Sequence, residues 1–158
     1  RIQGNCVGGG VGLAAAVDYA IATNNVQVKL RELSIGLGPF VVGAVIERKI
    51  GNAAFSQLAI DASMWRNADW AKRKGLLAEV HPGVESMDES IERLAASLVH
   101  SNPEAMKETK KMLWKDTDHW DELLKERAAI SGKLVLSEFT RNAITTFKNR
   151  IRKDKHEV

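Results

Sequence analysis

Residues 8–18 read Gly8-Gly9-Gly10-Val11-Gly12-Leu13-Ala14-Ala15-Ala16-Val17-Asp18, three consecutive glycines running into an alanine-rich apolar segment. Just before them, Gln3 to Val7 has the character of a strand. After them, Val11 to Ala20 is apolar nearly all round and is expected to be a buried helix. A strand passing through glycines into a helix points to the α/β class. The first turn of such a helix carries N–H groups with no partner inside the helix, at the positive end of its dipole. Glycines there let a ligand come close to the backbone, and a free N–H can stabilise charge developing on a carbonyl oxygen. Tight strand-to-helix packing without a ligand accounts for the same residues, and spacing alone leaves both readings open. Two nucleotide motifs are excluded. Leu13 stands where G-x-G-x-x-G needs its third glycine, and no Lys-Ser or Lys-Thr pair follows as a phosphate loop requires.

Further along, Ala20 to Thr23 and Val26 to Leu30 carry β-branched residues and predict short strands, with Asn24-Asn25 as the turn between them. Arg31-Glu32-Leu33-Ser34-Ile35-Gly36-Leu37-Gly38-Pro39 follows as a glycine-punctuated loop. Glu32, at a strand end and facing an apolar pocket, is a candidate for proton exchange. A surface ion pair with Arg31 or Lys29 is the plainer alternative. Val41 to Lys49 predicts a helix closed by Gly51, Asn52 caps another through Ala59, and Asn67 caps one through Lys74 with Gly75 as its stop. Leu76 to Val80 reads as a strand and His81-Pro82-Gly83 as a turn. Helices then start at Ser86 or Asp88 and at Asn102-Pro103, and run Asp118 to Ile130 and Ser137 to Arg150, with Gly132 near a break. Residues 1–85 are thus expected to form an α/β part and residues 86–158 a helical region.

The 158 residues, 44% hydrophobic, suffice for one ordinary core. No apolar run is long enough to span a bilayer, so no membrane partner is expected. Cys6 is the only cysteine, which rules out an intramolecular disulfide and fits a reducing, cytoplasmic setting. The net charge of +3 is a mild excess. Lys107, Lys110, Lys111, Arg150, Arg152, Lys153 and Lys155 read first as solvated helix faces and second as attraction for an anionic ligand. With 6% aromatic residues and no zinc-finger or RNA-binding motif, nucleic acid is not expected. His81, His100, His119 and His156 show no ligand spacing, so no metal site is expected. Trp65, Trp70, Trp114 and Trp120 read as core or subunit-contact residues. The chain opens inside what reads as a buried strand, without an initiator Met, which predicts the C-terminal part of a longer protein.

In order, these segments resemble the crotonase family, the enoyl-CoA hydratase/isomerase superfamily, from Ile2 to about Lys153. Ile2-Gln3-Gly4-Asn5-Cys6-Val7-Gly8-Gly9-Gly10-Val11-Gly12-Leu13, with Asp18 and Ile21-Ala22, resembles the family's strand, glycine loop and helix. Arg31 to Pro39 is similar to its P-E-x-x-x-G-x-x-P segment, and Arg48-Lys49-Ile50-Gly51 to its R-x-I-G. Asn67-Ala68-Asp69-Trp70-Ala71 through Gly75-Leu76-Leu77 and Val80 is similar to A-x-E-A…G-L-V…V, and Asn102-Pro103, Lys110 and Phe147 fit the closing helices.

The resemblance implies the C-terminal part of a crotonase spiral fold (ClpP/crotonase-like) with a helical C-terminal region. It implies an acyl-CoA thioester substrate in fatty acid metabolism, with coenzyme A part of that substrate and no separate cofactor. It implies a homotrimer or hexamer, with Trp114, Trp120, Leu123 and Leu124 at subunit contacts. Gly9 matches the oxyanion-hole donor and Glu32 the general acid/base, with Gly8, Gly10, Gly12 and Pro39 as substrate-binding positions. The second oxyanion donor would lie upstream. Gly12 stands where family hydratases place a first glutamate, and Arg31 replaces the proline before the second. Three readings follow: water addition to a 2-enoyl-CoA with one glutamate, isomerisation by Glu32 alone, and a non-catalytic binding or oligomerisation fragment that is itself inactive.

Overall fold

A computed structural model describes residues 1–154, with side chains described through residue 149. Lys155 and His156, and the side chains of Arg150, Arg152 and Lys153, therefore lie outside the described residues. The chain is mostly helical around small sheets. Strand β1 (Cys6–Val7) pairs in parallel with β3 (Gln27–Lys29), which pairs antiparallel with β4 (Arg66–Asn67). Strand β2 (Ile21–Thr23) pairs in parallel with β5 (Glu79–His81), and Ile2 adds a bridge to Ala22. Helix α1 (Gly9–Ala16) connects β1 in the first sheet to β2 in the second. Helix α2 (Phe40–Ile60) is broken at Gly51, and α3 (Ala68–Arg73) follows β4. Helices α4 (Val84–Val99), α5 (Pro103–Leu113), α6 (Trp120–Val135) and α7 (Glu138–Asp154) complete the chain.

Period-2 alternation explains β3. Gln27 is exposed, Val28 is buried, and Val26 and Leu30 are buried on the same face. The core joins these to Val11, Ala14, Ala15 of α1, Ile46 and Leu58 of α2, and Leu76-Leu77. Side-chain capping sets two helix starts as the sequence predicts. Asn67 Oδ1 accepts from Trp70 N at 2.9 Å, and Asn102 Oδ1 accepts from Glu104 N at 2.9 Å and Ala105 N at 3.2 Å. Helix α6 packs on α2, and α7 packs on a 3-10 turn at Leu33–Ile35.

The structure differs from the sequence expectations at several places. Asn52 does not cap the second half of α2, because its Oδ1 accepts from Ser56 Oγ at 3.5 Å and its Nδ2 donates to Glu47 Oε1 at 3.0 Å, and α6 runs on to Val135 rather than ending at Ile130. Helix α1 ends at Ala16 and is not buried all round, because Leu13 is 74% exposed and Val17 faces solvent. Strand β1 covers two residues rather than the whole of Gln3 to Val7. The parallel partner of β2 is Glu79–His81, while Leu76 and Leu77 leave α3 as core-filling loop residues. Helix α4 starts at Val84, earlier than Ser86. Helix α6 runs through Gly132 without a break, since nothing forces that glycine out of helical geometry.

Glu79 joins the second sheet to α4. Its carboxylate accepts Ser90 Oγ at 2.5 Å, Tyr19 OH at 2.8 Å and Arg93 Nη2 at 3.3 Å, and lies 2.8 Å from His81 Nε2. The Ser90, Tyr19 and His81 bonds hold its carboxyl down at about 2, against an ordinary 4.5. A carboxyl depressed on folding stabilises the fold above its ordinary value, and that contribution is lost as pH falls from 4.5 through about 2. Glu79→Gln is expected to cost about 1.5–3 kcal/mol at neutral pH. In thermal melts its deficit against wild type should shrink as pH falls below 4.5. A deficit constant from pH 7 to about 2.5 would contradict the linkage.

Candidate active site

The turn from β1 into α1 is set by Gly8. Its N–H donates to Lys29 O at 2.9 Å, which extends the β1–β3 pairing by one residue. Its backbone then takes φ 52°, ψ −113°, a conformation open essentially to glycine. The Gly8 carbonyl accepts Val11 N at 2.9 Å and Gly12 N at 3.3 Å, and so starts the helix. The N–H groups of Gly9 and Gly10 belong to that first turn and find no acceptor among the described residues. Gly9 is exposed, with no atom within 4 Å of where a side chain would begin. An open helix N-terminus therefore presents free donors at the positive end of the α1 dipole.

Glu32 meets this turn from the other side. Its carbonyl accepts Ile35 N at 3.1 Å and Leu37 N at 2.9 Å, which fixes its backbone at the start of the 3-10 turn. Its Oε1 lies 2.9 Å from where a methyl on Gly8 would stand. Its Oε2 is buried, with no hydrogen-bond partner among the described residues. A buried, unpaired carboxylate oxygen is costly, and such groups concentrate where chemistry needs them. The basic neighbours do not neutralise it. Lys29 Nζ donates to Ser63 O at 2.6 Å and lies over Trp65, while the Arg31 guanidinium stacks 4.8 Å from the centre of the Phe147 ring on α7. Arg31 thus ties the glutamate loop to α7, as does Thr140 Oγ1, which donates to Gly36 O at 3.1 Å.

An apolar cavity of about 220 Å3 opens beside Gly9, between α1, α2 and α6, lined by Gly12, Leu13, Val41, Val45 and Trp120 among others. Gly12 is buried, and a methyl there would stand 2.8 Å from Val42 Cγ1. The space next to Gly12 is thus filled by an α2 side chain. Of the other expected substrate positions, Gly8 faces Glu32 and Gly10 faces the Cys6 side chain, whose Cβ would lie 3.7 Å from a methyl on Gly10. Pro39 caps α2 with its carbonyl, which accepts Gly43 N at 2.7 Å. Cys6 is half-buried, and burial pushes its thiol up. Leu13, Val41 and Val45 escaped the sequence reading. Gly9, Gly12 and Leu13 share one helical face by their spacing, but nothing local shows which later element covers it.

The chain matches the enoyl-CoA hydratase/isomerase family over residues 1–154 and belongs to that family. It is 32% identical over 121 residues to the human mitochondrial Delta(3,5)-Delta(2,4)-dienoyl-CoA isomerase, covering 75% of this chain and 36% of that protein. The rat protein of the same name is 30% identical over 120 residues, with 75% and 36% covered. The crystal structure of an enoyl-CoA hydratase from Mycobacterium avium superposes with TM-score 0.86 at 22% identity, covering 94% of this chain and 59% of that one. An enoyl-CoA hydratase/isomerase from Pseudoalteromonas atlantica gives 0.82 at 16%, covering 93% and 59%. At these identities the two structures show the shared crotonase fold. The chain spans 36% of the length of these mammalian relatives.

The two neighbouring glycines separate strain from space. Gly8→Ala places a side chain at φ 52° and pushes on Glu32, and should lower stability by about 1–3 kcal/mol in urea unfolding. Gly10→Ala meets only an ordinary contact and should be neutral or stabilising by up to about 1 kcal/mol. Equal effects of the two would refute the constraint at Gly8.

Proposed function

We propose that the protein carrying this chain moves a proton at the carbon next to the thioester carbonyl of an enoyl-CoA, with Glu32 as the base and acid and the Gly9 N–H as an oxyanion donor. The observation that carries this is the Glu32 carboxylate, whose Oε2 is buried without a hydrogen-bond partner, set against the open N-terminus of α1. On a 3-enoyl-CoA, Glu32 takes a proton from Cα, and the electron pair delocalises onto the thioester oxygen and Cγ. The Gly9 N–H stabilises the resulting dienolate oxygen. Glu32 then returns the proton at Cγ, the double bond moves into conjugation, and the carboxylate is restored. In this reading the bare backbones of Gly8, Gly10 and Gly12 leave room for the thioester, and Pro39 fixes the entry to α2.

Isomerisation is favoured over water addition by the surroundings of Gly12, the position where family hydratases place a first glutamate. An ordered water needs two to four polar partners. Gly12 supplies no side chain, Val42 fills the space beside it, and the cavity beyond is lined by apolar side chains. The mammalian relatives, which are dienoyl-CoA isomerases by name, support the same choice.

The test is Glu32→Gln in the full-length gene product, assayed with a 3-enoyl-CoA for the conjugated product. Loss of an acid/base group should lower kcat by about 10²–10⁴-fold, with KM little changed. Unchanged turnover would remove Glu32 from the mechanism. Faster hydration of a 2-enoyl-CoA than isomerisation of the 3-enoyl-CoA would favour water addition instead.

A further inference from the structure

The apolar cavity beside Gly9 has one wall of a different kind. Leu13, Val41 and Val45 come from α1 and α2, but Trp120 and Leu124 come from the start of α6. Trp120 also lines a second, larger cleft of about 650 Å3, whose other walls include Met112, Leu113, Lys115 and Arg127. Trp120, with the small Ala44, therefore borders both spaces. It is held in place. Its ring meets that of Trp114 edge to face, with centroids 6.1 Å apart and planes at 78°. Trp114 is anchored in turn, since its Nε1 donates to Asp18 Oδ1 at 2.6 Å and the Arg48 guanidinium lies 4.4 Å from its ring centre. The Trp120 backbone N–H donates to Thr117 O at 3.0 Å, which fixes the start of α6.

We propose that Trp120 is the end-stop of the acyl pocket and sets the length of acyl chain that the site accepts. This rests on the reading that Gly9 holds the thioester carbonyl, for then the chain beyond Cα runs into the cavity that Gly9 helps to line. A cavity of about 150 Å3 holds a benzene ring. By that measure about 220 Å3 takes a tail of roughly eight carbons. A longer tail meets the indole. Removing the ring joins the pocket to the larger cleft, where Met112 and Leu113 offer apolar surface. Each further methylene taken out of water then tightens binding about fourfold.

Binding of saturated acyl-CoA esters, which the proposed reaction does not turn over, reads this directly. The full-length gene product is titrated calorimetrically with butanoyl-, octanoyl- and dodecanoyl-CoA, as wild type, Trp120→Phe and Trp120→Ala. In wild type the affinity is expected to rise from butanoyl to octanoyl and then level off or fall. In Trp120→Ala the ratio of dodecanoyl to octanoyl affinity should rise at least tenfold, with Trp120→Phe between. A ratio unchanged across the three proteins overturns the role of Trp120, as does a wild-type affinity that keeps climbing to dodecanoyl. No binding of any of the three esters by folded wild type overturns the reading of the site itself, and the proposal with it. Circular dichroism checks the fold of each variant. If Trp120→Ala does not fold, Trp120→Leu takes its place with the same two outcomes.

Discussion

The contact between α1 and α2 at Gly12 and Val42 fixes the geometry on which the rest rests. With a methyl on Gly12 only 2.8 Å from Val42 Cγ1, the helices could not approach as they do. Overpacking of that kind typically costs 1–3 kcal/mol and shifts backbone. Gly12 shares its helix with Ala14 and Ala15, which are buried and equally small. The approach does two things at once. It buries α1 against Ile46 and its neighbours without large side chains, and it aims the N-terminus of α1 at the loop that leads into α2. Glu32 lies on that loop. The carboxylate and the free N–H groups are therefore brought together by packing, this contact on one side and the docking of the glutamate loop on α7 on the other, rather than by bonds to each other.

Charge organises the other end of α1. Exposed pairs such as Lys107–Glu104 and Lys111–Glu108 sit within α5 and contribute little. Lys110 on the same helix behaves differently, reaching Asp18 Oδ2 at 2.5 Å beside the bond from Trp114. Burial pushes the Asp18 carboxyl up, but the bonds from Lys110 and Trp114 outweigh that and hold it below its ordinary value. Lys49 closes the helix by donating to the carbonyls of Val17 and Asp18, both at 2.9 Å. Partial burial holds its ammonium below the usual lysine value. These bonds fix where α5 ends and, through Trp114, where α6 begins.

What could be read from the sequence was what local chemistry decides. The Asn67 and Asn102 caps need only a side-chain oxygen and the next turn of backbone, so the sequence shows them plainly. The turn from β1 through the glycines into α1 was visible for a similar reason, whereas the local pattern left Glu32 open and only the family resemblance set it against that turn. The strands were harder. Two- and three-residue pairings such as β4 with β3 are chosen by tertiary contact, not by propensity. Leu76 and Leu77 have strand composition, yet the core takes their side chains directly and leaves the pairing to Glu79–His81.

The same distinction divides the site. Leu13 looks like a core residue on an apolar helix, but it is mostly exposed on the face that borders the cavity. Trp120 looks like a generic aromatic of a closing helix. Its place depends on Trp114, Trp114 on Asp18, and Asp18 on the end of α1, so no window of neighbouring residues contains the reason. Arg31 is the converse case. In sequence it departs from the proline of the family pattern. In the structure its guanidinium lies over Phe147, so the residue that replaces a stiff proline holds the glutamate loop by packing on α7. A rigid local constraint has been exchanged for a tertiary one, and the carboxylate it positions depends on α7 being docked.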